Sequence, residues 1–242
     1  MDAQPRRGDS STWAAAIRRH PSAILFAVQL VGVVVYPAMH SSGAGRAAFN
    51  AFGVVVVMLA LWSVRFSPGL TWVGVLLALP ATGLLIVQTA IDAQALTGWS
   101  SAFEAALYFY AAGCMLAYML ADHEITPDEL WAVGATFTLV AWAFAHVYVV
   151  CQAIQPMSFT AAVHPDADRT WIELLFLSFT TLSSTGLSDI VPVQPTARAI
   201  SMLEQLAGLA YVVMFVSRVV GLTVAQNRRD PGDSAARPPE PR

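Results

Sequence analysis

Six long apolar runs separated by short polar stretches set the pattern of this chain: residues 22 to 39, 47 to 65, 70 to 91, 101 to 121, 130 to 154 and 198 to 224. Each is near the roughly 20 apolar residues that a helix needs to cross the hydrocarbon core of a bilayer. A further run, residues 171 to 183, falls well short of that length, so it can enter a membrane but must turn back. The turn, Ser184-Thr185-Gly186-Leu187-Ser188-Asp189, is small and carries one glycine, which can hold a backbone conformation that other residues resist. Non-helical backbone at membrane depth is tolerated only where it is buried in protein or lines a water-filled path. A short helix, a small-residue turn and a full span together predict a re-entrant loop around a conduit.

Composition agrees with this pattern. Of 242 residues, 56% are hydrophobic and only 12% charged, which places the chain among multi-pass membrane proteins. All 13 basic residues are arginine, a bias that suits a GC-rich genome, and the net charge of −3 is too small to suggest a nucleic-acid partner. Cys114 and Cys151 both lie inside apolar runs, so no disulfide framework is expected. Arg6, Arg7, Arg18, Arg19, Arg65, Arg228 and Arg229 fall on one side of a six-span topology, and Arg46 and Arg169 on the other. The positive-inside bias then puts both termini in the cytoplasm and residues 155 to 170 outside. Basic residues ahead of an apolar run also fit a signal peptide, but the first run is longer than an ordinary signal core and lacks a clear cleavage site.

Several polar residues within or near the spans admit two readings each. Gln29, Gln88 and Glu104 would bond a neighbouring helix, or in the case of Glu104 reach the interface. Asp122, His123, Glu124, Asp128 and Glu129 form either a cation or pH sensor or, with Thr126 as cap and Pro127 at the first helical position, a capping box that starts the fifth helix. His146 is a satisfied histidine or a proton sensor. His164, Asp166 and Asp168 are a solvated outer loop or, repeated around an axis, an anionic vestibule. Pro80 and Gly83 would kink the third span. The fourth span contains no arginine, so steep voltage dependence from a ladder of gating charges is not expected.

From Thr181 to Ile190 the sequence T-L-S-S-T-G-L-S-D-I resembles the T-L-T-T-V-G-Y-G-D-I of the potassium-channel pore family. Pro192, Arg198 and Ala207-Gly208 fall where that family has a post-filter proline, an arginine opening the inner helix and a hinge glycine. The resemblance implies that Ser184, Thr185, Gly186, Leu187 and Ser188 coordinate the ion, and that Asp189 braces them. Thr180, Thr181 and Ser183 would support the filter from the pore helix, Glu173 would complement that helix's positive end, and Gly208 would bend the inner helix. Val212, Val216, Val220 and Val224 would line the inner pore or pack on the fifth helix, and Arg218 would snorkel to water or, facing the axis, oppose cations. Leu187 and Ser188 replace the family's tyrosine and second glycine, which implies reduced selectivity. Ser-Thr-Gly-Leu-Ser also resembles the single-glycine loops of potassium and sodium translocating subunits, which form looser filters from four loops in one chain.

The expectation is therefore an all-α membrane protein with six transmembrane helices, a re-entrant pore helix and a filter loop, assembled as a homotetramer in a bacterial inner membrane. Residues 1–21 form a cytoplasmic tail, 22–121 a four-helix peripheral domain, 122–225 the pore domain and 226–242 a disordered tail. The partners are the lipid bilayer and monovalent cations, K⁺ first and Na⁺ second, with no cofactor, no structural metal and no nucleic acid. The alternative is a non-conducting channel-like subunit with a regulatory or scaffolding role. No constellation for an enzyme is present in the sequence.

Overall fold

The computed structural model describes residues 20–39, 43–64, 68–91, 96–121 and 127–229. Within them the order is α1 (Pro21–Met39), α2 (Gly43–Val64), α3 (Pro68–Ile91), α4 (Thr97–Ala121), α5 (Pro127–Ile154), β1 (Phe159–Ala161), α6 (Trp171–Leu182), β2 (Ile190–Pro192) and α7 (Pro195–Arg229). Every predicted run has its helix, with ends shifted by a few residues. Among the described residues, Thr97–Ala121, Asp128–Ile154 and Pro195–Gly221 are long and apolar enough to cross a membrane. The 12 residues of α6 make a rod of about 18 Å, short of a crossing.

Two expectations need correction. The chain is mostly helical rather than purely so, because β1 and β2 form an antiparallel ribbon that pairs Phe159 with Pro192, Thr160 with Val191 and Ala161 with Ile190. The last helix also runs to Arg229, past residue 226 where a tail was expected to begin. Residues 1–19, 122–126 and 230–242 lie outside the described residues, as do the side chains of Gln88 and Val224.

Side-chain contacts fix the relative directions of the helices. Ser22 bonds Asp128 and Gln29 bonds the Ala135 carbonyl, so α1 and α5 run parallel in matched register. Helix α7 runs antiparallel to α5: Tyr148 meets Glu204, Tyr211 donates to the Val133 carbonyl, and Arg218 pairs with Glu129. Helix α6 runs back along α5, since Trp171 meets His146 and Ser178 meets the Ala141 carbonyl. It enters where α5 ends and returns partway.

Packing relies on small residues. In a bilayer the lipid tails are as apolar as leucine, so helices associate through close approach and interhelical hydrogen bonds rather than through escape from water. Ala132, Ala135, Ala141, Ala143 and Ala145 of α5 are fully buried, and Ala111 and Ala112 of α4 nearly so. Gly134 lets the Phe26 ring approach, since a Cβ there would lie 2.9 Å from its Cζ. Trp142 is the hub of this core, edge-on to Tyr108 at 5.6 Å and to Trp171 at 5.5 Å.

The first turn of α5 holds its neighbours as well as itself. Asp128 accepts from the Ser22 backbone N–H at 3.2 Å and the Ser22 hydroxyl at 2.8 Å, and so caps the start of α1. Replacing Asp128 by Ala should destabilise the protein by about 1 kcal/mol, the usual cost of losing such a cap. A thermal melt in detergent, with Asp128→Asn partly restoring the midpoint, checks this.

Candidate functional site

Helix α6 is anchored at its N-terminal end by a dense set of bonds. Thr170 caps it, and the Glu173 carboxylate accepts from the Thr170 N–H at 2.6 Å and the Thr170 hydroxyl at 2.7 Å. Arg169 is 5% exposed: it donates to the carbonyls of Val163, His164 and Ala167 and pairs with Glu173 at 3.5 Å. Gln152, near the end of α5, grips the Arg169 backbone from both sides, accepting from its N–H at 2.8 Å and donating to its carbonyl at 3.1 Å. The outer loop is thereby folded onto the helix start. His164, Asp166 and Asp168 stay exposed on it.

Trp171 ties this end to the peripheral helices. Its indole N–H donates to Nε2 of His146 at 3.2 Å, and Nδ1 of His146 lies 3.1 Å from the Glu104 carboxylate. An indole only donates, so Nε2 is the accepting nitrogen of His146. His146 also stacks on Tyr108 at 5.5 Å. Glu104 therefore turns inward to a partner rather than out to the interface.

At its inner end α6 passes into the turn. The backbone N–H groups of Thr185 and Gly186 both donate to the Thr180 carbonyl, at 3.0 and 3.1 Å. No peptide bond in the described chain is cis. In a planar trans peptide the C=O points opposite the N–H, so the Ser184 and Thr185 carbonyls face away from α6. Thr180 and Thr181 are buried behind the turn, while Ser183 bonds the Phe179 carbonyl at 2.6 Å and meets the Thr185 hydroxyl at 3.0 Å. Because β2 pairs with β1 at the outer end, Ser183 to Asp189 must climb back over the height that α6 descends.

Other positions differ from what the resemblance implied. The backbone enters the left-handed region at Ser184, with φ 59°, and at Gly186, with φ 66°, but not at Ser188. Ser188 instead accepts from the Ile190 N–H at 3.1 Å. Asp189 is exposed and makes no bracing hydrogen bond within the chain among the described residues. Leu187 is 78% exposed. Helix α7 continues through Gly208, whose missing side chain permits contact with α6: a Cβ there would lie 2.8 Å from the Leu182 carbonyl carbon and collide with its oxygen. Arg218 faces α5, pairing with Glu129 at 3.4 Å, and so neither lines an axis nor merely snorkels. Val212, Val216 and Val220 are about half exposed rather than packed on α5.

A buried polar cluster centred on Glu204 lies behind the turn. Its carboxylate is fully buried and accepts from the hydroxyls of Ser178 and Tyr148, the latter also 3.1 Å from Ser201. Polar residues on three separate apolar helices were the available signal, but nothing local joins them.

Comparison with known proteins agrees on the region. The family model described as "Ion channel" matches residues 136–225, from mid-α5 to the end of α7. Protein LctB of Geobacillus stearothermophilus is 31% identical over 107 residues, covering 43% of this chain and 79% of that protein. Protein LctB of Bacillus caldotenax is 29% identical over 103 residues, 41% of this chain and 76% of that one. No solved structure matches the chain.

The close approach at Gly208 reverses an ordinary preference. Alanine is favoured over glycine in a helix by about 1 kcal/mol, but forcing a methyl against a backbone carbonyl typically costs about 1–3 kcal/mol. Gly208→Ala should lower the melting temperature, whereas Gly221→Ala, in the same helix with nothing within 4 Å, should not. At Gly186, Ala should cost about 1–2 kcal/mol through its positive φ alone, read as lower thermal stability of the assembled protein.

Proposed function

The chain belongs to the ion-channel family, and from that premise we propose that four copies form a channel for monovalent cations, K⁺ first and Na⁺ second. The observation that carries this is the orientation of the filter backbone: two N–H groups are spent on the Thr180 carbonyl, leaving the Ser184 and Thr185 carbonyls turned away from α6. Rings of such carbonyls replace the hydration shell of a cation. One chain supplies one wall, so four are needed. Ser184 to Ser188 line the path, with Asp189 free to brace a neighbouring copy and Thr180, Thr181 and Ser183 behind them.

The surface of α7 supports assembly. Only 17% of its apolar window is buried by its own chain, against 56% for α5. Met202, Leu206, Leu209, Val213, Val216 and Val220 recur at helical spacing and are exposed, a stripe that neighbouring inner helices and the pore would divide. Val212 belongs to the pore-facing part.

The parallel course of α1 and α5 is what alternation of six spans requires. On that topology both termini are cytoplasmic in a bacterial inner membrane, and the β1–β2 ribbon lies at the outer mouth. The exposed Leu187 and the ordinary backbone of Ser188 favour weak discrimination between K⁺ and Na⁺. They also motivate the second reading, a non-conducting channel-like subunit that assembles but passes no ion.

Purified protein in liposomes should pass K⁺ and, less readily, Na⁺, but exclude a large organic cation such as N-methylglucamine. Gly186→Asp should abolish the flux. A tetramer that passes nothing under any gradient would leave only the second reading. Because α4 carries no arginine, conductance should vary far less steeply with voltage than about 2.3 kcal/mol per 100 mV per gating charge would produce. Macroscopic currents across planar bilayers measure that slope.

A further inference from the structure

Two of the contacts between α6 and α7 stand one turn apart on both helices: Ser178 with Glu204, and Leu182 with Gly208. Equal steps of four residues on two helices running the same way make a parallel seam. The upper contact is polar and fully buried, and it reaches a third helix, because Glu204 also accepts from Tyr148 of α5. The lower contact seats the last carbonyl of α6 directly on the backbone of α7. The carbonyl that fixes the filter, that of Thr180, lies between the two.

From this juxtaposition we infer that Glu204 is the positioning residue of the filter: by holding Ser178 and Tyr148 together it sets the height and rotation of α6, and hence where the Thr180 carbonyl presents itself to Thr185 and Gly186. The inference rests on the channel reading for its effect on ion selection, but its structural part stands alone. Within the described residues Glu204 is the one carboxylate that is fully buried. Its outer neighbours Met202 and Leu203 are exposed, so this is not a generally buried stretch of helix.

The donor count identifies the conservative variant. Ser178 has one hydroxyl proton and two acceptors in reach, the Ala141 carbonyl at 2.8 Å and Glu204. An amide at 204 can donate to the Ser178 oxygen, leaving the Ser178 proton for Ala141, while its carbonyl accepts from Tyr148. Glutamine therefore preserves the geometry. Alanine abolishes it and leaves both hydroxyls without their partner.

The test uses purified full-length protein with Glu204→Gln, Glu204→Ala, Ser178→Ala and Tyr148→Phe. Hydrogen exchange is followed in peptides covering 180–186 and, as a control, 21–39, and the K⁺/Na⁺ permeability ratio is measured in bilayers. Glu204→Ala should speed exchange at Thr185 and Gly186 by about tenfold, the equivalent of one lost buried hydrogen bond, and move the permeability ratio toward one. Ser178→Ala and Tyr148→Phe should do so less, and Glu204→Gln should stay near wild type on both readouts. Unchanged exchange at 180–186 in Glu204→Ala would overturn the inference, as would equal acceleration in 21–39, which marks general loosening. A wild type that conducts nothing while the exchange pattern holds would overturn the channel reading and leave the positioning role standing.

Discussion

A helix too short to cross a membrane cannot be held by the membrane. Lipid offers α6 no hydrogen-bonding partner for the backbone where it ends, and an unsatisfied polar group there would cost several kcal/mol. The rest of the pore region follows from meeting that requirement. At the outer end Thr170, Glu173, Arg169 and Gln152 satisfy the helix start and fold the preceding loop onto it. At the other end the Thr180 carbonyl is satisfied by the N–H groups of Thr185 and Gly186 in the turn that follows. The chain that needs partners at depth supplies them from its own return path, which orients the remaining carbonyls outward.

The same requirement explains why the buried polar groups lie where they do. Glu204, Tyr148, Ser178 and Ser201 converge from α5, α6 and α7, and Glu104, His146 and Trp171 converge from α4, α5 and α6. Both clusters contact α6, and both join helices that lipid alone would not hold together. Individual interhelical hydrogen bonds in membranes average only about 0.6 kcal/mol, so placement matters more than total energy. A few directional contacts fix the one helix that apolar packing would leave free to slide.

Much of this was legible in the sequence, and the part that was not has a physical cause. Helices α1 to α5 and α7 follow from apolar run length, and α6 from a run too short to span. The turn at Gly186 could be read from residue size. The ribbon could not: two three-residue strands, one ending in Pro192, have no period to detect, and they exist because the segments after α5 and before α7 are brought side by side. The left-handed Ser184 was equally hidden, since serine carries no preference for positive φ and the glycine that does stands two residues further on. Glu204 was visible as an acid in an apolar helix, but Tyr148 and Ser178 are distant in sequence, and only the antiparallel course of α5 against α6 and α7 assembles the three.

The contacts along α7 divide it into two mechanically distinct halves. Above Gly208, Ser201 and Glu204 bind it to α5 and α6; below, Tyr211 bonds the Val133 carbonyl at 2.8 Å and Arg218 pairs with Glu129 at 3.4 Å. A bend centred on Gly208 would have to break the lower pair while keeping the upper cluster intact. Two interhelical contacts of this kind amount to a few kcal/mol at most, the size of gap across which a minor conformation stays accessible. Gly208 is also the point at which α7 presses on the Leu182 carbonyl, so any bend there acts on the last turn of α6 directly. The two halves of α7 are thus separable in energy yet meet at one contact with α6, and that contact is backbone against backbone, where no side chain can absorb the movement.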